Sequence, residues 1–282
     1  MGRTNPREVF FMRMPFTDLR QRLDQSRFYD QAMRIPIIAY ALFLLLFDVV
    51  AFLNQVLERP SIFNAPDFGV VMAALARICQ WMFIALFAVL PIFRLRPIAK
   101  SDGVFSRLAP LAAVVLSPMF LFLDRAPPNL ACYFISVAVS LAAGAMAVVT
   151  LSFLGRSFSI MPEARRLVTA GPYQMVRHPL YLCEILIVFA MFMQYRSVAA
   201  AGLFVLIVGV EVTRAIYEEA VLARAFPEFE AYRRRTSFLV PRNPIRFFGL
   251  FLEDRVVLRR LAMVIICAFG LLGLVMTLPK LI

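Results

Sequence analysis

Two short stretches of this 282-residue chain concentrate the side chains that could do chemistry. The first is Gly171-Pro172-Tyr173-Gln174-Met175-Val176-Arg177-His178-Pro179-Leu180-Tyr181, which contains the only histidine in the sequence. An imidazole titrates near neutrality and can move a proton, and with Arg177 beside it the same site can hold a carboxylate. The second is Glu211, Arg214, Glu218 and Glu219. On a helix the first three share one face and Glu219 is turned about 100° away. Exposed pairs of this kind contribute little, and a single histidine before a proline can simply be a helix cap. Taken together, however, the stretches offer anion binders (Arg177, Arg214 and a helix N-terminus) and cation binders (Glu218, Glu219).

Both stretches need to be held by helices. Pro179 suits a first helical turn, where its missing N–H has no intrahelical partner, and it pushes His178 out of helical geometry into the cap position. An apolar run then continues to about residue 195. Only Arg196 and Ser197 separate it from a second run, 198 to 217, which passes without a break signal into Glu218 and Glu219. A tight helical hairpin therefore brings both polar clusters to the same end. A charged ladder that begins inside an apolar run should face protein or a water-filled cavity.

Composition says what surrounds that hairpin. Hydrophobic residues make up 61% of the chain and charged residues 17%, with a mean hydropathy of +0.77, which excludes an ordinary soluble enzyme. Apolar runs at about 35 to 53, 70 to 93, 108 to 123, 131 to 153, 180 to 195, 198 to 217 and 257 to 279 predict an all-α, multi-pass transmembrane bundle of about seven spans. Of the 30 basic residues, 25 fall on one side of these spans. Positive-inside reasoning puts that side, with the N-terminus, in the cytoplasm and the C-terminus outside, so the pocket would face the cytoplasm. The basic residues track membrane edges without interleaved aromatics, which argues against a nucleic-acid partner. The organisation reads as a basic cytoplasmic or interfacial segment (1–34), four spans (35–153), a polar core with the hairpin (154–246), and an amphipathic stretch followed by a terminal span (247–282). Asp48 and Arg77 lie at membrane depth on neighbouring spans, where they could pair with each other or reach the outer face. One histidine and four scattered cysteines (Cys79, Cys132, Cys183, Cys267) suggest neither a metal site nor a disulfide framework. No phosphate loop or dinucleotide fingerprint is present.

A pocket with both anion and cation binders suits a zwitterion carrying a fixed positive centre, and S-adenosylmethionine is such a molecule. At these residues the sequence resembles the isoprenylcysteine carboxyl methyltransferase family and its phospholipid methyltransferase relatives. The match is carried by Leu167-Val168-Thr169-Ala170-Gly171-Pro172-Tyr173, then Arg177-His178-Pro179-Leu180-Tyr181, Arg214, Glu218-Glu219-x-x-Leu222, Phe226-Pro227, Tyr232 and Pro241. It covers about residues 155 to 245, with Pro227 where relatives commonly have glycine. The resemblance implies methyl transfer from S-adenosylmethionine to a lipophilic acceptor that enters from the bilayer. It implies cofactor-binding roles for Tyr173, His178, Tyr181 and Glu219, to which the chemistry of the first stretch adds Arg177. It also implies acceptor-end catalytic roles for Arg214 and Glu218.

Such a transfer is an in-line displacement that needs alignment and a dry site more than a metal. A carboxylate acceptor would need only an arginine, for which Arg214 oriented by Glu218 is the candidate, whereas an amine would need a base such as His178. Two other readings stay open: a phospholipid or small amine or thiol methyltransferase, and a transporter or scaffold without catalysis. The Arg-over-Lys bias and the absence of an organelle signal lean towards a bacterial inner membrane.

Overall fold

In a computed structural model, residues 34–59, 66–101 and 105–281 are described; the basic segment expected over 1–34 lies, apart from Arg34, outside them. Apolar helices follow one another along the chain. They are α1 (Ile35–Glu58), α2 (Phe68–Phe93), α3 (Phe105–Leu116) with a 3-10 extension to Phe122, and α4 (Leu130–Leu154). The hairpin α5 (Pro179–Tyr195) and α6 (Val198–Ala225) comes next, then α7 (Phe229–Arg235), α8 (Pro244–Glu253) and α9 (Arg255–Leu281). A two-residue antiparallel pair, β1 (Ala99–Lys100) with β2 (Glu163–Ala164), ties the α2–α3 connection to the polar segment after α4.

Capping residues set the helix ends. Asp67 accepts from Val70 N at 2.8 Å, Asn129 from Cys132 N at 2.9 Å, and Ser197 from Ala200 N at 3.1 Å, each satisfying an N–H that has no intrahelical partner. Gly155, at φ +48°, ends α4. The last carbonyls of α2 are taken by cations: Arg34 Nη1 reaches Pro91 O at 2.9 Å and Arg156 Nε reaches Phe93 O at 2.8 Å.

Among the described residues, six helical segments are long and apolar enough to cross a membrane. Their outward faces carry Phe43, Leu46, Phe47, Phe105 and Phe122, all exposed, which only lipid can cover. The chain is thus an all-α, multi-pass helical membrane protein, with one difference from the expected seven spans. Helix α5 has 17 residues, about 25 Å, and falls short of a full crossing by length. Pro179 fixes its start, and Arg196, left-handed at φ 42°, fixes its end. Its two ends still lie at opposite ends of the bundle. His178 is beside the polar segment, whereas Arg196 donates to Pro127 O just before α4.

Helix α4 is the central post. Its buried Ala147, Val149 and Leu151 join Ile78 and Cys79 of α2, Cys183 of α5 and Val257 and Val264 of α9 in one core. Gly144 lets α2 and α4 approach closely, since a Cβ there would lie 3.3 Å from Cys79 Cβ. This packing leaves the inner ends of α5 and α6 to hold the polar segment. Asp48 and Arg77 do pair (3.2 Å), with Trp81 Nε1 donating to Asp48 at 2.6 Å, which anchors α1 to α2.

Candidate functional site

The Gly171–Gln174 turn depends on its glycine. Gly171 sits at φ +61°, and a Cβ there would lie 2.6 Å from the Phe153 ring, so only glycine allows the turn to press against α4. The turn buries Tyr173, whose carbonyl accepts from Tyr232 Oη at 2.7 Å. Burial pushes both phenols well above their ordinary pKa, so both remain neutral hydrogen-bonding groups.

Residues 175–178 then exchange backbone hydrogen bonds with the segment after α7. Ser237 N donates to Met175 O (3.0 Å), Arg177 N to Ser237 O (2.9 Å) and His178 N to Phe238 O (3.2 Å). This latch places Arg177 and His178 over the inner end of α6. His178 occupies the N-cap position of α5, but its side chain makes no cap hydrogen bond. The ring instead meets Glu219 through Nε2 (3.2 Å), stacks on Tyr181 at 5.4 Å between centroids, and abuts Phe238. Glu219 also accepts from Arg177 Nε at 2.5 Å, and Arg177 Nη1 donates to the carbonyls of Arg233 (3.0 Å) and Thr236 (2.7 Å). Glu219 therefore clamps two cation-capable side chains together.

Glu218, one residue earlier and a third of a turn away, points elsewhere. It accepts from Tyr181 Oη at 2.8 Å and stands 4.0 Å from His178 Nδ1. The expected alignment of Arg214 by Glu218 is not formed. Arg214 Nη1 binds Glu211 at 2.7 Å, one turn back on its own face, and Glu184 of α5 at 3.3 Å. Its guanidinium lies 4.7 Å beneath the Tyr181 ring. The physical reason is proximity: Tyr181, one turn into α5, takes up Glu218 before Arg214 can reach it. Glu184 was missed by sequence reasoning, although it was the one carboxylate in the α5 apolar run, and such a residue calls for a buried partner.

These groups border a small cavity at the inner end of the hairpin. Tyr173, His178, Tyr181 and Glu218 line it, with Ser157, Ser159 and Glu163 adding polarity and Leu154, Phe158, Met161 and Leu180 an apolar wall. Arg177, Arg214 and Glu219 stand behind this wall. Two lining hydroxyls, Tyr173 Oη and Ser157 Oγ, are buried and have no hydrogen-bond partner among the described residues. Such groups are costly unless a ligand or water completes them. Among the described residues no group of three or more His, Cys, Asp or Glu is arranged to hold a metal ion.

Residues 129–228 match the model of the phospholipid methyltransferase family, whose members are integral membrane methyltransferases related to the isoprenylcysteine carboxyl methyltransferases. That segment runs from the start of α4 through the hairpin and carries every residue of the cavity. The chain is also similar to two curated proteins. It is 34% identical over 99 residues to the nickel-cobalt-cadmium resistance protein NccN of Alcaligenes xylosoxydans xylosoxydans, and 36% identical over 99 residues to the cobalt-zinc-cadmium resistance protein CzcN of Cupriavidus metallidurans. Each match covers 33% of this chain and 46% of the relative, so the chain spans less than half the length of the curated relatives it matches.

Proposed function

We propose that the cavity binds S-adenosylmethionine and that the protein transfers a methyl group to a lipophilic acceptor arriving from the bilayer, with isoprenylcysteine-like carboxylates as the leading acceptor class. The observation that carries this reading is the pair of unpartnered buried hydroxyls, Tyr173 and Ser157, in a wall that also presents the Glu218 carboxylate and two stacked rings. The donor set fits the cofactor. Glu218 suits its ammonium, the hydroxyls of Tyr173 and Ser157 suit its carboxylate and sugar oxygens, and the ring faces of His178 and Tyr181 suit a positive centre. When bound, S-adenosylmethionine would supply an electrophilic methyl group on a sulfonium.

The residues behind the wall position those in it. Glu219 and Arg177 fix His178, whose Nε2 meets Glu219 while Nδ1 stands 4.0 Å from Glu218. Arg214 supports Tyr181 from below, and Tyr181 in turn orients Glu218. Arg214 is thus read as a positioning residue, a change from the acceptor contact expected from sequence. A carboxylate acceptor is ionised near neutrality and asks only for alignment and exclusion of water. For an amine acceptor, His178 is the candidate base.

The concentration of arginines at the cavity end supports a cytoplasm-facing site, with the N-terminus inside and the C-terminus outside, and the Arg-over-Lys bias is the ground for reading the membrane as a bacterial inner one. The metal-resistance names of the two relatives do not specify an acceptor. Calorimetry of S-adenosylhomocysteine binding to detergent-purified protein tests the proposal. Wild type should bind, and Tyr173→Phe, which deletes an oxygen without a protein partner, should weaken binding about tenfold with an unchanged melting temperature. A folded wild type that does not bind would sink the methyltransferase reading.

A further inference from the structure

Outside the proposed cofactor cavity lies a larger cleft, walled by α8, the end of α7 and the Gln174–Met175 turn. Three arginines line it: Arg235, Arg242 and Arg246. Arg235 Nε is held by Ala231 O at 3.1 Å, but the side chains of Arg242 and Arg246 engage no protein group among the described residues. The acids on the wall are Glu253 and Asp254. Asp254 is committed to capping α9, accepting from Val256 N (2.8 Å) and Val257 N (3.1 Å), and the Glu253 carboxylate folds back beside Gly249. The amino-terminal half of the cleft is therefore an open cationic pocket.

Helix α8 has three flanks, as the helical period requires. Phe247 and Phe251 are buried in the core. Arg246, Leu250 and Glu253 face the cleft. Ile245, Phe248 and Leu252 are exposed at 86%, 52% and 69%. A short helix with one flank bare and apolar and another carrying Arg246 belongs in the plane of the membrane surface, its apolar flank among acyl chains and Arg246 at headgroup level. That depth decides between a soluble anion and a lipid.

We propose that this cleft seats the phosphate headgroup of an anionic phospholipid, held by Arg242 and Arg246, independently of what the cofactor cavity does. Guanidinium groups bind phosphate oxygens in pairs, and the basic side of the membrane protein is where anionic headgroups gather.

The test is native mass spectrometry of the full-length detergent-solubilised protein, titrated with dioleoyl phosphatidylglycerol or dioleoyl phosphatidylcholine. Wild type should prefer the anionic lipid. Arg242→Ala with Arg246→Ala should weaken phosphatidylglycerol binding about thirtyfold while leaving phosphatidylcholine binding unchanged. The equal charge change Arg255→Ala with Arg259→Ala, at exposed positions of α9 outside the cleft, should keep affinity within about twofold. Glu253→Arg, which adds a cation to the same wall, should tighten binding. Equal weakening by both double variants would reduce the effect to diffuse surface charge and overturn the site. Displacement of the lipid by millimolar inorganic phosphate would overturn the lipid as its occupant.

Discussion

Helices α1 to α3 and the α4–α7 region are built from the same apolar alphabet, yet they treat charge in opposite ways. In the most apolar window of α1 only 11% of residues are buried within the protein, against 56% for the stretch containing α4. The Asp48–Arg77 pair of the first region leaves each side chain 34% exposed, whereas Arg214, Glu211 and His178 of the second retain 5%, 4% and 3%. An ion pair at the rim fastens two helices. A charged group withdrawn into protein with several partners carries a desolvation cost that packing alone does not require, and such groups mark where a ligand is handled.

That contrast can be broken by substitution. Glu219→Ala should have the largest effect: it leaves Arg177 and His178 without their shared carboxylate, lowers stability by about 3 kcal/mol in thermal melting and abolishes measurable S-adenosylhomocysteine binding. Arg214→Lys keeps the charge but loses the flat guanidinium under Tyr181. Folding and S-adenosylhomocysteine affinity should survive while kcat for methylation of a prenylcysteine analogue falls about tenfold at unchanged KM. A rise in KM alone would return Arg214 to direct contact with the acceptor. Asp48→Asn should do least, costing under about 1 kcal/mol and leaving cofactor affinity untouched. If it weakens binding as much as Glu219→Ala does, the two regions are energetically one unit and the contrast fails.

Much of this architecture was legible because its punctuation is local. Pro179 announces the start of α5, and the Arg196-Ser197 step announces the hairpin. The two polar clusters could be assigned to one end because a hairpin leaves no other option. What stayed hidden was the pairing across elements. Glu218 and Glu219 are adjacent, so a helical wheel separates their directions without saying which meets Tyr181 and which meets Arg177. Glu184 looked like one polar letter in an apolar run until α6 packed beside it. The latch between 175–178 and 237–238 joins segments with no hydrophobic period, about 60 residues apart, and neither announces the other.

That latch has a consequence for the order in which the protein is made. The hairpin α5–α6 can enter the membrane as soon as it is synthesised, but Arg177 and His178 find their backbone partners only when Ser237 and Phe238 have left the ribosome. The cavity is thus completed late in biogenesis, after most of the spans are in place. A nascent chain arrested at Ala225 would hold the hairpin and both glutamates, with nothing to set the histidine above them.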